Sequence, residues 1–312
     1  MTRLPLFNPW QMNQLKPLYE MLQELDPAEA YDVMRRVYAA ERPKLLRPMY
    51  EECVRGARRQ LALAPRLVAD YDLDELARQF ADYVQELNFD TTYLIINLSD
   101  RERLFREVVD MGNVELLDDA VSAGPVLLTP LHIGPCYASL GVLAMRFPLT
   151  TLYHKFPLND LREQWNPSLD LRGIEVPSNK VMFQCLDALG SGRVLSMFPE
   201  LDPNGIGRLH VPVPFLGTHV AAPTGPALLA QRARAQLVPY TFSVDTEGRY
   251  TFHFEPPIDP GTDADDRRRV AELIFAFVER TLLSGEPGKW EMWWEFDKMA
   301  DSTWLESQSI AA

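Results

Sequence analysis

Between Pro9 and about Met111, apolar residues recur every third or fourth position, the spacing of a helix face. Leu15, Leu18, Met21, Leu22 and Leu25 form one such stripe. Asp26-Pro27 opens the next helix, with Asp as cap and Pro in the first turn, and Tyr31, Met34, Val37 and Tyr38 carry it to Pro43. Further helices are expected over 49–63, 73–87 and 101–109. Residues 90–98, Asp-Thr-Thr-Tyr-Leu-Ile-Ile-Asn-Leu, fit a strand or a buried helix equally well.

After Met111-Gly112-Asn113 the period changes, and short apolar runs alternate with helical patterns. Strands are expected at 126–129, 149–153, 174–176 and 193–198, with helices at 136–145, around 159–165, and at 179–189. An irregular Pro/Gly loop over 199–223 leads to a helix at 224–234. Strands at 236–244 and 249–255 form a hairpin turning at Glu247-Gly248, and an amphipathic helix covers 265–283. Strands alternating with helices predict an α/β fold, a mostly parallel sheet flanked by helices, with an antiparallel hairpin near one edge. The division expected is a helical extension over 1–111 and an α/β domain over 112–312, with one compact unit as the alternative. The tail Lys289-Trp-Glu-Met-Trp-Trp-Glu-Phe is aromatic and is expected to pack back on the body.

Composition narrows the function. A net charge of −13 over 312 residues argues against nucleic acid and against docking on anionic lipid. Arg55, Arg58, Arg59 and Arg66 form a local basic cluster that is either a solvated helix face or a landing patch for an acidic partner such as an acyl carrier protein. Three widely spaced cysteines, Cys53, Cys136 and Cys185, suggest reduced thiols in a cytoplasmic protein. No apolar run approaches the ~18 residues of a membrane span, and the first residues lack the pattern of a secretory signal. The histidines show no metal spacing, so no metal and no cofactor beyond a co-substrate is expected.

One stretch stands out, 124–137, Gly-Pro-Val-Leu-Leu-Thr-Pro-Leu-His-Ile-Gly-Pro-Cys-Tyr. It reads as a buried strand running into a turn that carries His132, with Gly134-Pro135 starting a helix. The carboxyl end of such a strand is where open α/β sheets hold their chemistry. The plainer alternative is a satisfied histidine in a tight turn. Glu200 follows the strand at 193–198, so a parallel neighbour would bring it to the same rim. Cys136 is four residues past His132, which would share a helix face if both were helical. It is either a thiolate nucleophile or a small buried hydrophobe.

Three blocks in order carry a resemblance: 112–134 around His132; 188–202, Ala-Leu-Gly-Ser-Gly-Arg-Val-Leu-Ser-Met-Phe-Pro-Glu-Leu-Asp; and 211–239, with Val-Pro-Val-Pro-Phe-Leu-Gly and Ala-Pro-Thr-Gly-Pro-Ala-Leu-Leu-Ala. Over roughly 70–298 the chain resembles the bacterial lipid A biosynthesis acyltransferases, within the lysophospholipid acyltransferase-like superfamily. The resemblance implies acyl transfer from a thioester, on acyl carrier protein or coenzyme A, to a hydroxyl or amine. It implies His132 as general base in a motif His-x-x-x-x-Asp/Glu, whose carboxylate orients and charges the imidazole. Here that position is Tyr137, a phenol that cannot offset imidazolium charge and either orients substrate or fills the space. Glu200, in Pro-Glu-Leu-Asp, is the expected substitute, with Asp202 holding the loop or meeting substrate. Arg172, before the strand at 174, and Asn179-Lys180, opening a helix, resemble positions that meet charged parts of a substrate. Gly225 is expected to let its helix approach a strand closely, and amides after the strand at 126–129 to stabilise an oxyanion.

The usual membrane segment is missing ahead of this region and the basic tail is replaced by acidic Trp-Glu-Met-Trp-Trp-Glu-Phe-Asp, so the expected acceptor is soluble or carrier-tethered rather than lipid A. A specialised biosynthetic pathway fits that expectation. The competing readings are a non-catalytic binder of an acyl chain or carrier protein, and an enzyme of thioester hydrolysis, condensation or cyclisation.

Overall fold

Strand β2 (Val126–Pro130) is buried at every position, and its side chains alternate between two cores. Leu127 points into one apolar layer, Val126 and Leu128 into the other. A run of apolar residues is what a strand covered on both faces needs. The structure, a computed structural model, describes residues 24–45, 47–153, 168–200 and 209–300, with positions 17, 20–22 and 166. The expected helix around 159–165 and the first two residues of the stripe, Leu15 and Leu18, lie outside the described residues, while Leu22 is buried and Met21 and Leu25 are exposed.

Around β2 runs a seven-stranded sheet in the order β1 (Val109–Asp110), β9 (Tyr250–Phe254), β8 (Gln236–Val244), β2, β5 (Val194–Ser196), β3 (Leu149–Tyr153), β4 (Leu171–Glu175). Every pairing is parallel except that of β8 with β9, the hairpin expected from Glu247-Gly248. The family of folds is therefore α/β with a mostly parallel sheet flanked by helices.

The amino-terminal helices are α1 (Pro27–Leu45), α2 (Arg47–Leu61), α3 (Pro65–Asp70) and α4 (Leu73–Asn97), followed by a short helical and π-helical turn over 101–108. Residues 90–98 continue α4 instead of forming a strand. Phe89, Tyr93, Leu94 and Leu98 are buried, and their helical spacing outweighs the local β-preference of the Thr and Ile residues between them. Residues from α2 and the first half of α4 share a core with Leu127 and the tryptophans of the tail, while the second half of α4 shares the other core with β8 and β9.

After β1 lie α5 (Glu115–Ala123), α6 (Cys136–Ala144), α7 (Val181–Gly190), α8 (Gly225–Ala233), α9 (Ala264–Ser284) and α10 (Phe296–Met299). Helix α9 begins on a capping box in which Asp263 and Asp266 each accept from the other's backbone. The expected loop 199–223 is corrected in its described part. Strands β6 (His210–Phe215) and β7 (Thr218–Pro223) pair antiparallel and turn at Leu216-Gly217, both at positive φ. Pro212 and Pro214 share one phase of the pleat, so their missing N–H groups can face away from β7 and leave the ladder intact.

Candidate active site

The register of β2 against β5 builds the centre of the site. Leu128 pairs with Ser196, and His132 and Glu200 each lie four residues further on. Two residues at the same height on parallel neighbours are about one strand spacing apart, ~4.8 Å, within reach of two side chains. His132 Nδ1 lies 2.7 Å from Glu200 Oε2, and the backbone N–H of His132 donates to Glu200 Oε1 at 2.9 Å. The indole N–H of Trp290 donates to the same Oε1 at 2.9 Å. Glu200 has no exposed surface and His132 is 8 % exposed, so this charge is held by three N–H groups in a dry site. A carboxylate only accepts, so in the neutral ring the proton sits on Nδ1 and the lone pair on Nε2.

The ring is held from its face as well. Phe198 stacks on it with centroids 4.1 Å apart, and Tyr137 meets it edge-on at 6.0 Å. The Tyr137 hydroxyl donates to Glu291 Oε1 at 3.1 Å, and the Glu291 backbone N–H donates to the His132 carbonyl at 2.9 Å. Tyr83, on α4, accepts from the Gly134 N–H at 2.9 Å and donates to the His132 carbonyl at 3.5 Å. Of the amides in the turn after β2, where an oxyanion site is expected, those of His132 and Gly134 are engaged by Glu200 and Tyr83. Gly134 itself is required by geometry: its φ is +70°, and a Cβ there would stand 1.7 Å from the Phe242 carbonyl oxygen.

Four of these residues, Tyr83, Phe198, Trp290 and Glu291, were not singled out in the sequence. Tyr83 and Phe198 look like core positions. The aromatic–acidic tail carried the only signal, and its packing was expected while its contacts were not.

The other candidates fall as follows. Cys136 opens α6 but His132 sits in a bend, so the two do not share a helix face. The Cys136 thiol is 1 % exposed and burial pushes it well above its ordinary range, which favours the neutral thiol over a thiolate. Arg172 lies inside β4, not before it, and is exposed beside Asp170 at 3.9 Å. In the sheet it is level with Leu127 and three strands away, roughly 14 Å to the side and nearer the amino end, so it does not join His132 and Glu200. Asn179 and Lys180 are exposed just before α7. Asp202 lies outside the described residues. A Cβ on Gly225 would meet nothing within 4 Å, so close approach is not its role. Of the basic cluster, Arg58 is paired with Asp74 and Arg66 with Glu279. No group of His, Cys, Asp or Glu among the described residues is arranged to hold a metal, and no described helix is long and apolar enough to cross a membrane.

The family described as bacterial lipid A biosynthesis acyltransferase matches residues 76–294, more than half of the chain. The chain belongs to that family. No curated protein matches the sequence. As a member of the lipid A acyltransferase family it carries an acyltransferase fold whose matched span runs from Leu76 on α4 to Trp294 in the tail, and so takes in every residue of the cluster around His132. An imidazole with its lone pair on Nε2 and a buried anion behind Nδ1 is equipped to take one proton and hold the resulting charge.

Proposed function

We propose that this protein moves an acyl group from a thioester, carried on acyl carrier protein or coenzyme A, to a hydroxyl or amine of a soluble or carrier-tethered acceptor, with His132 as general base. Nε2 takes the proton of the acceptor O–H or N–H as that atom attacks the thioester carbonyl. The C–S bond then breaks, and the leaving thiolate takes the proton back from the imidazolium. The products are an ester or amide and a free thiol, with no net change of protons. Glu200 keeps the ring in the tautomer with its lone pair on Nε2 and offsets its charge while the proton is held.

The observation that carries this reading is the 2.7 Å contact between His132 Nδ1 and a fully buried Glu200. It supports the reading although Tyr137 stands at the motif position, since an acidic partner reaches the ring from the end of the neighbouring strand. Three free, buried cysteines fit a reducing compartment, and we place the reaction in the cytoplasm, within a specialised biosynthetic pathway.

Acyl-loaded carrier protein and acyl-coenzyme A, each with hydroxyl and amine acceptors, test the reading by intact mass. Transfer by the native protein and its loss by about 10²–10⁴-fold in His132→Ala is the expected result. Stable association with a loaded carrier and no change in acyl mass would instead mark a binder. Free acid without acylated acceptor would mark a hydrolase.

A further inference from the structure

We propose that Trp290 and Glu291 in the carboxyl-terminal aromatic segment are positioning residues of this site, holding His132 and Glu200 together, and that Glu291 acts through Tyr137. The inference rests on the reading of His132 as base.

Three bonds from two consecutive residues reach the site. Trp290 Nε1 donates to Glu200 Oε1 at 2.9 Å. The Glu291 N–H holds the His132 carbonyl at 2.9 Å, and the Glu291 carboxylate accepts from Tyr137 at 3.1 Å. Tyr137 stands where the family motif has its carboxylate, so the phenol there is tied to an acid delivered from 154 residues further along the chain.

A segment serving only as core filler would be built differently. Burying a carboxylate costs several kcal/mol unless it is bonded, so an apolar residue at 291 would pack more cheaply than Glu291, which is 2 % exposed. A buried indole N–H needs only a carbonyl, as Trp293 shows by donating to the Pro287 carbonyl at 2.8 Å. Trp290 instead donates to the one carboxylate that faces the imidazole. By sharing Oε1 with the His132 amide, it leaves Oε2 to the ring.

The test is Trp290→Phe, which keeps the aromatic volume and removes the N–H. Among the described residues, Glu200 and Tyr137 meet the ring, Glu291 and Tyr83 meet the His132 carbonyl, and the Cys136 thiol lies on the next helix; of these, Glu200 is the one bonded to the Trp290 N–H. Its charge is then less shared, the imidazolium is favoured, and the acid limb of kcat/KM moves to higher pH. We expect kcat to fall about ten- to a hundredfold, as for outer partners of a functional imidazole, with donor KM within about twofold. Tyr137→Phe and Glu291→Gln should each lower kcat, and the double variant should lower it no further than the worse single one.

NMR titration of the His132 ring gives a readout independent of turnover, with an upward displacement of about half a pH unit or more expected in Trp290→Phe. An unmoved titration and pH limb, or activity lost only in step with the unfolded fraction, would overturn the proposal. If the native protein transfers no acyl group while the titration still moves, the acyl-transfer reading fails and the hold on the His132–Glu200 pair stands.

Discussion

Three N–H groups converge on Glu200, and that count predicts what its amide would do. In Glu200→Gln one oxygen remains to accept, and the new NH₂ faces donors already aimed at that place. With the oxygen at the place of Oε1, the NH₂ faces Nδ1 and drives the ring proton to Nε2; with it at the place of Oε2, the His132 amide and the Trp290 indole lose their acceptor. We expect kcat to fall about 10²–10⁴-fold and stability by about 1–3 kcal/mol, read by steady-state kinetics and a denaturant melt. A variant that keeps full activity would remove Glu200 from the mechanism. Its position was legible in the sequence because it depends on local facts: a buried apolar run, a proline that ends it, and a neighbour of the same pattern ending in His132. The partner of the Trp290 N–H was not, since 90 residues separate the two and only the folded tail decides which acceptor lies nearby. Arg172 was misplaced because Leu-Arg-Gly-Ile-Glu has its apolar residues three apart, with Leu171 and Ile174 buried and the residues between exposed, which does not read as the alternation of a strand.

At the scale of elements, the turn from β2 into α6 is the tightest point near the site. Gly134→Ala would place a methyl against the Phe242 carbonyl, a backbone atom of β8 that cannot swing aside, at a φ that L-residues adopt at a cost. A loss of about 2–4 kcal/mol is expected, from the left-handed conformation together with the overlap, seen as a lower denaturation midpoint at unchanged m. Gly-Pro signalled this turn in the sequence. The hairpin β6–β7 was hidden by the same residue type: four prolines between 212 and 226 look like a loop, although two of them occupy the outward phase of a strand. The continuation of α4 through 90–98 was open because even its polar residues Asp90, Thr91 and Asn97 are buried, which blurs the polar stripe by which helical periodicity is recognised.

For the molecule as a whole, the helical amino-terminal residues are tied to the sheet through one buried acid. Asp90 on α4 accepts from Tyr250 of β9 at 2.7 Å and from Tyr31 of α1 at 3.2 Å, both at Oδ1. It is 4 % exposed, and burial pushes its carboxyl up to about 7, against the pull of the two tyrosines. The sign of the pH effect follows from the protons. Between about pH 4 and 7 the folded chain keeps a proton here that the unfolded chain has released. Stability from this group is therefore complete below the ordinary carboxyl range and is lost as pH rises through about 7, with a slope of at most about 1.4 kcal/mol per pH unit. Asp90→Asn keeps an Oδ1 for both hydroxyls and carries no charge. Thermal melts at pH 5 and pH 8 should show the native protein losing more stability than the variant over that interval, with the variant the more stable of the two at pH 8. Parallel losses in both proteins would mean that Asp90 is ionised throughout, and that the junction between α1, α4 and β9 is held by a charge instead of a neutral acid.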